Sequence, residues 1–303
     1  MDSLTLYVCF FGIFCAFFAV FLNANLVFKV VLKKSKRVDE MMIFYYRFVL
    51  DVFFGFFLAI WTIFIVFSIY FSQSMNPYRP FIVYLALPWS NISACRTIIA
   101  LSIALERVIA AYFPLKYRSY RPNFPNLIIL SIGVIAGLFE IPMLFGFCSY
   151  RMEIPPTCRI FACSINKCFY NYWTGFRAVS FAGILSLSAL LSLKLFVLNS
   201  KETRKKLSRA NRLALLDTVT VLIFDFLPSL CGNLWPNFPL FNFEYVGPYN
   251  ATLKVIGCAI EAAVVSTVLL RRTTVAEKSS SQKSTVIKNS EARSQVFHSR
   301  SQK

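Results

Sequence analysis

Histidine occurs once in this chain of 303 residues, at His298 near the C-terminal end. That rarity removes His-based zinc sites and Ser-His chemistry from the apolar body of the protein. Acidic residues are also scarce: 14 Asp and Glu stand against 32 Lys and Arg, a net charge of +18. Two of them, Asp217 and Asp225, raise the idea of an aspartyl enzyme. Eight residues apart on one helix, they cannot share a proton as catalytic dyads do. Internal repeats are missing, and with them the usual mark of a transporter. No metal and no cofactor are expected.

What the chain has instead is apolar bulk. It is 57% hydrophobic, 17% aromatic and only 15% charged, with a mean hydropathy of +0.60. Those values exclude an ordinary soluble protein. A spanning helix needs about 20 apolar residues. Seven runs satisfy this, at about 4–32, 41–71, 81–113, 126–148, 172–198, 213–235 and 247–270. The expectation is an all-α membrane protein, a seven-transmembrane helix bundle over 1–272. Residues 273–303 follow as a disordered basic tail, rich in Ser, Thr, Gln and Lys. The first run has no basic start and no small-residue cleavage site, so it reads as a retained span and not as a signal peptide.

The positive charge falls between the runs, which favours a lipid surface over nucleic acid as its partner. Lys33, Lys34, Lys36 and Arg37 follow span 1, Lys116, Arg118 and Arg121 follow span 3, and Lys201, Arg204, Lys205, Lys206, Arg209 and Arg212 follow span 5. The other side holds only Arg79, Arg151, Arg159 and Lys167. Basic loops stay in the cytoplasm, so the N-terminus is expected outside and the C-terminus inside. Cys148, Cys158, Cys163 and Cys168 then fall in or beside the second outer loop, where disulfides form. Three pairings are open. Asn91 and Asn250 match glycosylation sequons, but one lies within a span and the other at a helix mouth.

Charges within spans are costly and mark candidate functional sites. Lys29, Arg47 and Lys194 lie near the cytoplasmic edge, where they are expected to reach the interface. Asp51, Arg96 and Glu261 each lie roughly 15 Å inside it, at 1.5 Å per residue. They form an expected buried charge network between spans 2, 3 and 7, either a static staple or a switch. Glu140, Arg177, Asp225 and Lys254 fall in the outer half. With Phe226 they are candidates to line a small-molecule pocket, the cations holding a carboxylate or pairing with the two acids. Pro228 in span 6 is the candidate helix pivot.

The stretch Leu105–Tyr117, LERVIAAYFPLKY, closes span 3. Glu106 and Arg107 sit at its cytoplasmic lip, and Pro114 ends the helix. ERVIAAYFPLKY resembles the Asp-Arg-Tyr stretch of rhodopsin-like G-protein-coupled receptors, with Pro114 and Tyr117 at matching offsets. Asn25 resembles the asparagine of their first helix, Asp51 the aspartate of the second, and FDFLP (Phe224–Pro228) the aromatic-x-Pro element of the sixth. Span 7 has no Asn-Pro-x-x-Tyr, and span 3 lacks the outer cysteine, which points to disulfides internal to the second outer loop. Across nearly the whole chain, YYRFVLDVFFGFF, ERVIAAYFPLKYRSYRPNFPN, FGFCSY, KCFYNYW, ANRLALLD, FDFLPS and GPYNATLKVIGCAIEA resemble the nematode serpentine chemoreceptors of class BC.

That resemblance implies a chemosensory G-protein-coupled receptor in the plasma membrane, at a sensory neuron cilium. Its partners would be a small extracellular molecule and a heterotrimeric G protein, met through Glu106, Arg107, Pro114 and Tyr117. A ligand-gated ion channel or a transporter is the alternative. Lys254 stands where opsins carry their retinal lysine, but span 3 offers no acidic counter-ion at its outer end, which argues against a light sensor.

Overall fold

The computed structural model describes residues 2–29, 42–121, 125–155, 158, 160–197, 209–235, 238 and 246–267. The loops holding Lys33–Arg37 and Lys201–Lys206, together with Arg159 and the tail at 273–303, lie outside the described residues. The chain divides into two units, Met1–Ala262 and Ala263–Lys303; of the second, residues 263–267 are described and are helical.

Helices are the regular secondary structure of the described residues. Six helices are long and apolar enough to cross a membrane: α1 (Asp2–Val27), α2 (Met42–Tyr70), the segment begun by α5 (Asn126–Leu138), α7 (Lys167–Val197), the segment of α8 (Arg209–Val221) and α9 (Leu227–Leu234), and α10 (Tyr249–Thr267). A further long helix, α3 (Phe81–Tyr112), has 32 residues but is more polar. Its position explains this. It packs against α2, α5, α7 and α8, and Ser90, Ser93, Arg96 and Thr97 are buried. A helix in the middle of a bundle meets little lipid and need not be apolar all round.

The outer surface carries the reverse pattern. Phe11, Phe14, Phe17, Phe18 and Phe21 of α1, Phe53 and Phe56 of α2, and Leu127, Ile132 and Ile135 of α5 are all exposed. In water such a belt would drive aggregation, whereas in hydrocarbon it is the matching surface.

Two features place the site. Gly133 and Gly137, one turn apart on α5, let that helix close on α3: a Cβ at Gly137 would meet the Asn91 carbonyl oxygen at 2.5 Å, and one at Gly133 would meet Ile99 at 3.2 Å. The second feature is a pair of π-helical turns, each beside a proline. Pro142 precedes the turn Met143–Phe147, and Pro228 follows the turn Leu222–Phe226, which closes with the Leu227 N–H donating to the Leu222 carbonyl. Proline has no N–H for the carbonyl four residues back, and its ring crowds that carbonyl. A wider turn beside the proline changes the direction in which the following side chains point.

Between α5 and α7 a loop contains a short helix, α6 (Phe161–Ser164). Its disulfides are Cys148–Cys168, which ties the two ends of the loop together, and Cys158–Cys163 within it, each with Cα atoms 5.6 Å apart. At the other end of the bundle, Phe113 breaks α3, and Pro114 starts the short α4 (Pro114–Tyr120).

Candidate functional site

A buried layer of charge crosses the bundle. Asp51 of α2 pairs with Arg96 of α3. Arg47, one turn from Asp51, pairs with Asp217 of α8 and with Glu261 of α10, the latter at 3.0 Å. All five are buried, Arg47 with only 2% of its surface exposed. Phe54 stacks against the Arg96 guanidinium at 5.2 Å.

This differs from the expected network in two ways. Glu261 joins Arg47 and not the Asp51–Arg96 pair, and Arg47 does not run out to the interface. Residues four apart share a helix face, so Arg47 is committed to the side on which Asp51 is buried. With Asp217 and Glu261 both waiting there, pairing replaces water at lower cost than bending outward. Lys29 and Lys194 do lie at the periphery: Lys29 is exposed, and Lys194 sits 5.1 Å from the Tyr112 ring.

Towards the disulfide end lies a second layer. Lys254 of α10 pairs with Asp225 in the π turn and donates to Ser93 Oγ at 2.7 Å. The small cavity of about 20 Å³ beside it is lined by Arg47, Arg96, Asp225, Lys254 and Glu261, so both charged layers face one space. That volume holds about one water molecule. Glu140, three residues beyond Gly137, is carried by the close α3–α5 contact against Ser90 and Asn91. With its amide assigned so that nitrogen faces the carboxylate, Asn91 donates to Glu140 Oε2 at 3.1 Å. Glu140 lines neither cavity.

Under the disulfide loop is a larger cavity of about 130 Å³, walled by Trp61, Phe161, Trp173, Arg177, Phe181 and Phe226 among others. Phe161 is pressed into an aromatic cluster with Trp89, Phe169 and Trp173, at 5.9, 6.5 and 5.6 Å. Trp173 donates to Ser90 Oγ at 2.9 Å, which fixes its ring, and the Arg177 guanidinium lies 3.8 Å over that ring. Of the five pocket candidates, Arg177 and Phe226 line this cavity, while Asp225 and Lys254 line the smaller one. Trp61, Phe161, Trp173 and Asn250 were missed. They come from four separate segments, and only Trp173 carried a local signal, one turn before Arg177.

At the far end of α3, Glu106 gathers three partners: Arg107 at 3.3 Å, Tyr117 Oη donating at 2.6 Å and Arg121 Nε donating at 2.6 Å. Arg121 also donates to Asn126 Oδ1. Burial first, then the hydrogen bond and charge of Glu106, push the Tyr117 phenol above its ordinary pKa, so it stays a donor. Pro114 sets α4 at the angle that brings Tyr117 and Arg121 back onto Glu106. The first-helix asparagine also differs from expectation: Asn23 is the buried one, donating to the Ala19 carbonyl at 2.9 Å, whereas Asn25 is exposed.

No curated protein matches the chain. The family model described as serpentine type 7TM GPCR chemoreceptor Srbc matches residues 1–273, which is nearly all of it. The chain therefore belongs to the Srbc family of serpentine seven-transmembrane chemoreceptors, multi-pass membrane receptors and not enzymes.

Proposed function

We propose that this receptor binds a small extracellular molecule in the cavity beneath the disulfide loop and activates a heterotrimeric G protein at the Glu106–Arg107 end. The disulfide end faces outside and the basic loops face the cytoplasm, with the receptor in the plasma membrane of a sensory cell and its cilium the expected site. One observation carries the reading: adjacent residues of the π turn face the two cavities. Phe226 lines the larger one, and Asp225 lines the charged one and pairs with Lys254.

A ligand that moves Phe226 therefore moves Asp225. The charged layer follows, because Lys254 and Glu261 lie about two turns apart on α10, and Glu261 and Asp217 share Arg47. Pro228, beside the turn, is the pivot in this scheme. Exchange of partners around Arg47 and Arg96 distinguishes the resting and active packings, and the ligand shifts the population by its preference for one of them. Arg107 is then released from Glu106 to meet the G protein.

The test is ligand-stimulated nucleotide exchange by G proteins in membranes holding the full chain. Arg107→Ala is expected to keep surface level and ligand binding and to abolish exchange; unchanged exchange refutes the role given to Arg107. The same protein in liposomes separates this reading from the channel or transporter alternative, which predicts ligand-dependent flux.

A further inference from the structure

The larger cavity holds a cation that is not neutralised by contact. Lys254 is matched by Asp225 and Ser93. Arg177 has no ion pair among the described residues. The negative charges nearest to it in effect are Asp225, already held by Lys254, and Glu140, turned towards Ser90 and Asn91. Its guanidinium is spread on the face of Trp173 and forms part of the cavity wall. In the same wall, Asn250 Oδ1 is buried and accepts no hydrogen bond. A buried acceptor left unmade is costly and calls for an explanation.

We propose that the cavity recognises a small organic acid. Its carboxylate lies on the Arg177 guanidinium, its ring or short chain is packed among Phe161, Phe181 and Phe226, and a hydroxyl donates to Asn250 Oδ1. The flat guanidinium fork matches a carboxylate with two parallel hydrogen bonds. The aromatic wall excludes water and strengthens that contact. The space of about 130 Å³ is close to a cavity known to hold a benzene ring, about 150 Å³, which sets the bulk of the body at a single ring or its equivalent. A lysine or a dispersed positive field would take any anion; a stacked guanidinium in an apolar wall favours a planar one carried on an apolar body. The inference rests on the reading of this cavity as the receptor's ligand site, and it is tested without a G protein.

The experiment is equilibrium binding of 4-hydroxybenzoate, benzoate and the neutral near-isostere 4-hydroxybenzamide to the purified full chain in detergent. Inorganic phosphate is included as a competitor. The acid is expected to bind about ten- to a hundredfold more tightly than the amide. Phosphate should not displace it. Arg177→Gln should erase the preference for acid over amide while the amide still binds, and Asn250→Leu should erase the gain of 4-hydroxybenzoate over benzoate. Equal affinity of acid and amide for the wild type, displacement by phosphate alone, or no binding of either aromatic overturns the proposal. A preference that survives in Arg177→Gln does the same. Should that variant not fold, the wild-type comparison decides by itself. Acid-selective binding with no nucleotide exchange would sink the receptor reading and leave the site, and exchange without acid selectivity would do the reverse.

Discussion

Arg47 shows how much one residue can join. Its guanidinium holds Asp217 and Glu261 from two other helices, and its own helix supplies Asp51 to Arg96. Removing one partner of such a set leaves buried charge with nothing to answer it, at a cost of roughly 3–5 kcal/mol. Arg47→Ala should therefore lower thermal stability in detergent sharply. Combining it with Asp217→Asn and Glu261→Gln should recover most of the loss, because the uncompensated charge is gone. If the single variant unfolded at the wild-type temperature, these ion pairs would contribute nothing to the fold. Arg47 was also legible in part. Its spacing of four from Asp51 places it on the buried face, although counting depth from the end of the span assigns it to the interface.

Among the elements, the disulfide loop and the π turn Leu222–Phe226 each bring an aromatic ring to the larger cavity, Phe161 and Phe226. Cys148–Cys168 closes a loop of sequence separation 20, and α6 within it delivers Phe161 to the wall. By loop closure alone such a link contributes about 3 kcal/mol, and the Cys158–Cys163 link, with a separation of 5, about 2 kcal/mol. Cys148→Ser with Cys168→Ser should lower stability by about that larger amount and loosen the roof of the cavity. The check is a fall in unfolding temperature together with weaker binding of the aromatic acid probes. Stability and binding equal to wild type would mean that the loop is held by its aromatic packing alone. That four cysteines share one inter-helix loop or its edges could be read along the chain, but their pairing could not. Three pairings satisfy the spacing equally, and the choice depends on how the ends of α5 and α7 approach each other.

At the scale of the whole molecule, charge orders the parts. The basic loops after spans 1, 3 and 5 and the basic tail outweigh the other four cations outside the spans, so the bundle is expected to insert with the tail inside. A tag on the C-terminus is expected to be reached by antibody only after cells are permeabilised, and a tag on the N-terminus on intact cells. Surface labelling of the C-terminal tag on intact cells would invert the receptor. The same inversion would put the disulfide loop in a reducing compartment, which its two bridges argue against.

Reading along the chain was enough to establish a helical membrane protein and to locate the charged residues within its apolar runs. Each of those follows from local quantities: the length of an apolar run, the 1.5 Å rise of a helix, the charge of a short loop. Asp51 and Arg96 could be matched in this way, since both lie at one depth, and they do pair. Only the tertiary structure decided that Glu261 answers Arg47, that Asp225 neutralises Lys254 while Arg177 is left facing the cavity, and that Glu140 turns towards α3. Those outcomes depend on the rotation of each helix about its axis and on how closely its neighbours approach. The π turn beside Pro228 and the glycines at Gly133 and Gly137 set these by steric contact between segments far apart in the chain.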